Sequence, residues 1–230
     1  MIKSYFDIRA VILDMDGILV DTEPIHLESF RTYLNKFSIE PKESFLASLV
    51  GHSVENNIAV INETFFKQKP IPIQEGVRLR EEIYINLISS SNLKAMDGVE
   101  QLIDNCMNTK ILLGLASSSS KKQIDLILHK LTKTSEKRLD YLSLFNAVVS
   151  GDDVQRKKPA PDIYQKMIEL LDISREKCLA VEDSYAGIQS AKAAGLKCIV
   201  LDNAFIKSGE MKYADQIIYS MHELNRIIAG

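Results

Sequence analysis

Near the start of the chain an apolar run, Ala10-Val11-Ile12-Leu13, stops at Asp14-Met15-Asp16-Gly17. An aspartate at the end of a buried strand is costly unless something nearby compensates its charge. Three later segments offer partners. Ser117 heads the serine run 117–120, Lys158 stands between Lys157 and Pro159, and Glu182-Asp183 close the run Cys178-Leu179-Ala180-Val181. Each falls at or just after the end of an expected strand, and open parallel sheets bind ligands outside the carboxyl ends of their strands. The four carboxylates on such a rim repel one another unless a cation lies among them. An all-oxygen ligand set without clustered His or Cys points to a hard ion, Mg²⁺. Of Glu182 and Asp183, either can be the ligand, with the other outside it.

Lys158 is a point charge suited to a phosphate. The Ser117 hydroxyl and the backbone N–H groups of 15–17 can donate to phosphoryl oxygens, and Gly17 permits the tight turn this needs. The chemistry these groups share is phosphoryl transfer. Asp14 would attack phosphorus, and Asp16, two residues on, would protonate the leaving oxygen and then deprotonate the attacking water.

The elements that must position these residues follow from hydrophobic periodicity. Strands are expected at 9–14, 111–116, 147–150, 178–182, 197–202 and, more weakly, 216–219. Helices are expected at 99–108, 121–131, 161–171, 185–194 and 221–228. Strand and helix in alternation imply right-handed crossovers and a doubly wound parallel α/β sheet, covered on both faces. The continuous apolar first strand fits its centre. The alternation breaks once, between about 22 and 93, where Leu27, Phe30, Leu34 and Phe37, and later Ile83, Leu87 and Ile88, keep helical spacing. Pro24, Pro41, Pro70 and Pro72 divide this stretch into about four helices. The expectation is an α/β catalytic core of 1–20 and 95–230 with an inserted small α-helical cap domain, 21–94. Its flexible links would lie near 20–23 and 89–94, the run Ser89-Ser90-Ser91-Asn92 forming a hinge. Residues 132–138 read as a surface loop, and Ser119 or Ser120 as an N-cap.

The ordered set of motifs carries a family resemblance. Asp14-Met15-Asp16-Gly17-Ile18-Leu19-Val20-Asp21-Thr22-Glu23, Ala116-Ser117-Ser118, Lys157-Lys158-Pro159-Ala160-Pro161-Asp162 and Val181-Glu182-Asp183-Ser184-Tyr185-Ala186-Gly187-Ile188 resemble the four motifs of the haloacid dehalogenase superfamily. The closest likeness is to its helical-cap branch of small-molecule phosphatases and beta-phosphoglucomutase. The resemblance implies a phosphoaspartate on Asp14 and acid/base work by Asp16. Asp14, the Asp16 carbonyl and Asp183 would hold the metal, with Glu182 supporting through water, while Ser117 and Lys158 would hold the phosphoryl group. Ser118, Gly51, His26 and Arg80 would face substrate, His26 matching a mutase hinge histidine. Dehalogenases and phosphonate-cleaving members lack the second acid, so Asp16 argues against both. Val50 and Val54 stand where the mutase carries cap cations, which favours hydrolysis of a monophosphate ester over phosphate relocation.

Composition narrows the class. With 230 residues, 28 Lys+Arg against 31 Asp+Glu, and 46% hydrophobic residues, the chain has ordinary globular values. They argue against disorder, a nucleic-acid surface and a polybasic membrane surface. The three cysteines have no CxxC spacing, which suggests buried thiols rather than disulfides or zinc. No apolar run suits a signal or a membrane span, and the Asn62 sequon reads as chance. The expectation is a cytoplasmic monomer or weak dimer acting on a small-molecule phosphate ester, with no nucleic acid and no membrane. A hexose phosphomutase stays open as an alternative. So does a non-enzymatic phospho-acceptor or binding domain, although a receiver-type acceptor needs no cap and carries its aspartate on the third strand.

Overall fold

The computed structural model describes residues 7–203, 206 and 208–229. They form two compact units, one of the described residues up to 21 and from 93 onward, and one of residues 22–92.

The first unit is built on β1 (Ala10–Leu13), whose four side chains are all buried. After the inserted unit, the chain continues as α5 (Val99–Thr109), β2 (Leu112–Ala116), α6 (Lys121–Thr134), β3 (Ala147–Val149), α7 (Asp162–Leu171) and β4 (Cys178–Glu182). It then runs through α8 (Tyr185–Ala193), β5 (Lys197–Leu201), α9 (Ser208–Met211), β6 (Gln216–Ile218) and α10 (Met221–Ala229). The helices that fill the insertion are α1 (Glu23–Asn35), α2 (Glu43–Ala47), α3 (Val54–Phe65) and α4 (Ile73–Ser90).

All pairings in the sheet are parallel, in the order β3-β2-β1-β4-β5-β6. The direction of strand addition therefore reverses at β1 and β4, and the crevice beyond their carboxyl ends is the position where such sheets bind ligands. On one face Ala10 and Ile12 pack with Ala180, Val149 and Val200 under Ile163, Tyr164 and Met167 of α7 and Ile188 of α8. Burial of each large aliphatic side chain here contributes about 1.5–3 kcal/mol. Helix starts follow local chemistry. Ser120 and Gln123 close a capping box at α6, and the Ser184 hydroxyl accepts from the Gly187 N–H at α8.

Three expectations need correction. Residues 132–134 are helix, not loop, and the following turn is tied to α5: the Lys137 N–H bonds to Glu100, and its ammonium pairs with Asp104. Ser89 and Ser90 form the last turn of α4, their hydroxyls bonded back to Ile85 and Asn86 carbonyls, and the two units divide just beyond, between 92 and 93. Val20 is not a loose link: it is buried and forms an antiparallel bridge with Ala95, while the Met96 N–H donates to the Leu19 carbonyl at 3.0 Å. Exit from and re-entry to the first unit are thus paired side by side. The sequon residue Asn62 is committed to the fold, its side chain exchanging hydrogen bonds with both backbone groups of Ile71. All three cysteines are buried and free.

The helical unit has its own core, with Phe30, Tyr33, Leu34, Leu46, Ile58 and Ile83 buried and Phe45 and Phe65 partly buried against them. Phe37 lies past the end of α1, partly exposed, with its ring against Tyr33 and Phe66. Within this unit Arg80 is only 1% exposed. Its guanidinium lies over the rings of Phe30 and Tyr84 and donates to His26 Nδ1 at 2.5 Å, while the His26 ring stacks on Tyr84. An acceptor Nδ1 means a neutral imidazole. Burial, with help from the Arg80 charge, holds the His26 pKa well below its usual 6.5. An unfolded chain takes up a proton below pH 6.5 that the folded ring refuses. Stability is therefore lost as pH falls through that value, by at most about 1.4 kcal/mol per pH unit from this residue. Between pH 7.5 and 5.5 the wild-type melting temperature is expected to fall more steeply than that of His26→Gln; parallel slopes would refute this account.

Candidate active site

Asp14 is the first residue past β1, and its N–H still donates to the Val181 carbonyl of β4 at 3.0 Å. This bond continues the ladder and sets Asp14 beside the end of β4, where Glu182 and Asp183 follow. The chain then turns sharply. The Gly17 N–H bonds to the Val20 carbonyl, and Leu19 and Val20 both donate to the Met15 carbonyl. Gly17 has φ +78°, and a Cβ there would lie 1.8 Å from Asp183 Oδ2. Only glycine lets this turn and the Asp183 carboxylate share the space.

Lys158 reaches the same point from the loop between β3 and α7. Its ammonium donates to Asp14 Oδ1 at 2.9 Å, to the Ala116 carbonyl at 2.9 Å and to Glu182 Oε1 at 2.6 Å. An ammonium has three protons, and here all three have acceptors. Burial alone would favour the neutral amine, but Asp14 and Glu182 outweigh it and hold the Lys158 pKa above its usual range. Glu182 is fully buried and also accepts from the Tyr164 hydroxyl at 2.5 Å and from Ser184 at 3.4 Å. Burial raises its pKa, as does the neighbouring Asp14, against the pull of Lys158. Asp183 is pushed well above the usual carboxylate range by burial, then by Asp14, Glu182 and Asp16.

One oxygen from each of Asp14, Glu182 and Asp183 falls within 4.8 Å of the others. Three carboxyl groups facing one ammonium crowd more potential negative charge than Lys158 can balance; burial and this crowding are why Glu182 and Asp183 hold their protons more tightly here. Both the oxygen donor set and that crowding suit a hard divalent cation.

The structure brings Asp14, Ser117, Lys158, Glu182 and Asp183 to the carboxyl ends of neighbouring strands. Ser117 is buried next to Lys158's acceptor Ala116. Its Oγ accepts the Ser119 N–H at 3.1 Å, and its own proton remains available to a ligand. The Asp16 carboxylate lies outside the three-acid cluster and receives the Ser119 hydroxyl at 3.1 Å. Ser118 is partly exposed, and its carbonyl oxygen lies 2.3 Å from where a Cβ of Gly151 would be. Three of the expected substrate residues belong to the helical unit. His26 and Arg80 are bound to each other, so the Arg80 guanidinium is committed to the interior. Gly51, at φ +78°, lies in the exposed turn between α2 and α3.

Tyr164 and Asn203 go unnamed in the sequence reading, which takes Ser119 only as an N-cap candidate. Tyr164 lies on the apolar face of α7 with Ile163 and Met167. Asn203 donates through Nδ2 to both the Asp183 carbonyl and Oδ2, at 2.9 and 3.0 Å. Its signal was its place just past the end of β5.

Residues 11–201 match the haloacid dehalogenase-like hydrolase family. A protein of Thermotoga maritima named phosphorylated carbohydrates phosphatase is 30% identical over 191 residues, covering 83% of both chains. The crystal structure of CbbY from Rhodobacter sphaeroides in complex with phosphate is similar at a TM-score of 0.79 and 27% identity, over 94% of this chain and 96% of that one. CbbY in complex with xylulose-(1,5)bisphosphate gives a TM-score of 0.77 at 27% identity, with the same coverage. The acids gathered at the β1/β4 switch point and the family match across the sheet that carries them agree, and the chain belongs to the haloacid dehalogenase-like hydrolases.

Proposed function

We propose that the chain is a phosphatase that hydrolyses a small phosphate monoester, of the sugar or polyol class, through a phosphoaspartate on Asp14. The observation that carries this reading is the Lys158 ammonium shared between Asp14 and Glu182 within a buried acid cluster. Such an arrangement tolerates an incoming phosphate dianion beside a carboxylate nucleophile. The substrate class rests on the relatives, one named for phosphorylated carbohydrates and one solved with a sugar bisphosphate.

Asp14, the Asp16 carbonyl and Asp183 would hold Mg²⁺, with Glu182 behind them. When bound, the ion supplies charge neutralisation at the transferring phosphoryl group.

A carboxylate oxygen of Asp14 attacks phosphorus as the ester P–O bond breaks, and the departing oxygen takes the proton of Asp16. All three Lys158 protons already have acceptors, so a phosphoryl oxygen must replace one of them. The Asp14 bond is the one to yield, because that carboxylate loses its charge on forming the acyl phosphate. Ser117 donates its hydroxyl proton to another phosphoryl oxygen. In the second half, Asp16 takes a proton from water as the water attacks phosphorus. The Asp14–phosphate bond breaks, and inorganic phosphate leaves.

The test is phosphate release from a panel of sugar, polyol and nucleotide monophosphates, with and without a chelator. Chelation is expected to lower turnover at least about 100-fold, with recovery on adding Mg²⁺. Turnover unaffected by chelation would remove the metal from this reading. Isomerisation of glucose 1-phosphate without phosphate release would replace hydrolysis by mutase chemistry.

A further inference from the structure

We infer that Ser119 is a positioning residue for Asp16: its hydroxyl holds the Asp16 carboxylate in the orientation that protonates the leaving oxygen. This rests on the acid/base reading of Asp16 given above. The Ser119 Oγ–H donates to Asp16 Oδ2 at 3.1 Å, across 103 positions of sequence.

The backbone of Ser119 is fixed on every side. Its N–H donates to Ser117 Oγ at 3.1 Å, its carbonyl accepts the Gly151 N–H at 2.9 Å, and the next residue is locked into the α6 capping box. Because Ser120 makes that cap, the Ser119 hydroxyl is not needed at the helix start. It is instead aimed at the turn after β1, which is itself tied by the Gly17–Val20 bond. A hydroxyl donated to one carboxylate oxygen sets the plane of the group, and the other oxygen carries the transferable proton. Proton transfer in a transition state depends steeply on such placement. In the step concerned, the proton passes from that second Asp16 oxygen to the ester oxygen as the P–O bond breaks. Ser119 itself exchanges no proton.

A merely structural hydrogen bond and a positioning one differ in how they respond to the leaving group. An alkoxide needs a proton to depart, whereas p-nitrophenolate does not. Leaving-group release is to be measured in the first turnover, with Mg²⁺ and enzyme in excess. The two substrates are the fastest-turned-over sugar phosphate of the panel above and p-nitrophenyl phosphate. Asp16→Asn, Ser119→Ala and Ser119→Thr are compared with wild type. Acid/base contributions run to about 10²–10⁴-fold. On that scale Ser119→Ala is expected to slow sugar release about 10-fold, to change nitrophenolate release less than about 3-fold, and to be rescued by Ser119→Thr. Equal slowing of both esters in Ser119→Ala, or slowing of neither, overturns the inference about Ser119 if Asp16→Asn still selects against the sugar ester. An Asp16→Asn enzyme that treats both esters alike overturns the acid/base reading itself.

Discussion

Asp14→Asn is expected to abolish phosphate release, by at least about 10³-fold, while leaving the protein as stable as before or more so in the absence of metal. The amide is nearly isosteric, but its nitrogen and carbonyl oxygen cannot take the phosphoryl group as a carboxylate does. Acetyl phosphate should label the wild type and not the variant. The stability prediction has a separate origin. Asp14 contributes to raising the pKa of both Glu182 and Asp183, so without metal its charge strains a buried acidic cluster. The Asn amide oxygen can still accept from Lys158, so the ammonium loses the Asp14 charge while its Glu182 and Ala116 contacts stay in place. A relief of about 1 kcal/mol would raise the melting temperature of a chain this size by roughly 2–4 °C in chelator. Undiminished turnover would eliminate the phosphoaspartate mechanism. A dead enzyme that melts well below wild type would instead show that Asp14 holds the site together.

The same cluster shows which parts of the site were legible in the sequence. Asp14, Ser117, Glu182 and Asp183 each end a run of buried apolar residues, so a local pattern announced them. Lys158 was found by its Pro-flanked place after a strand. Gly187 belongs to this legible set for a reason only the structure supplies. A Cβ there would lie 1.8 Å from Glu182 Oε2, so the α8 start must be bare for the carboxylate to lie against it.

Tyr164 was hidden because a tyrosine at helical spacing among Ile163 and Met167 has the signature of a core residue. It is a core residue, with one polar atom that reaches Glu182. Ser119 and Ser120 could not be told apart inside a serine run, since the first serves Asp16 and the second the helix only once the fold brings Asp16 near. The pairing of Val20 with Ala95, and of His26 with Arg80, joins residues far apart in sequence. Periodicity reports which face a residue occupies; it carries no register between distant segments. Hence six strands and a helical insertion could be read, while the last turn of α4 was taken into the hinge at 89–92 and the last turn of α6 into the loop at 132–138.

Lys158→Met should damage folding and chemistry together, and a second substitution should separate them. The Lys158 side chain is 5% exposed, and that of Glu182 is not exposed at all. Among the described residues, deleting the ammonium leaves the buried Glu182 carboxylate with the Tyr164 and Ser184 hydroxyls alone, and breaking a buried pair in this way costs about 3–5 kcal/mol. At this chain length that corresponds to a melting temperature roughly 10 °C lower in chelator. Turnover should fall at least about 10³-fold, since nothing else among the described residues brings a cation to Asp14 Oδ1. In Lys158→Met/Glu182→Gln the buried charge is gone as well, and the amide introduced in place of the Glu182 carboxylate can still meet the Tyr164 hydroxyl. Most of the lost stability is expected to return, and none of the turnover. If the double variant melts as low as the single one, Lys158 supports the fold by packing rather than by charge. If the single variant keeps both its melting temperature and its turnover, Lys158 is not the cation on which Asp14 depends.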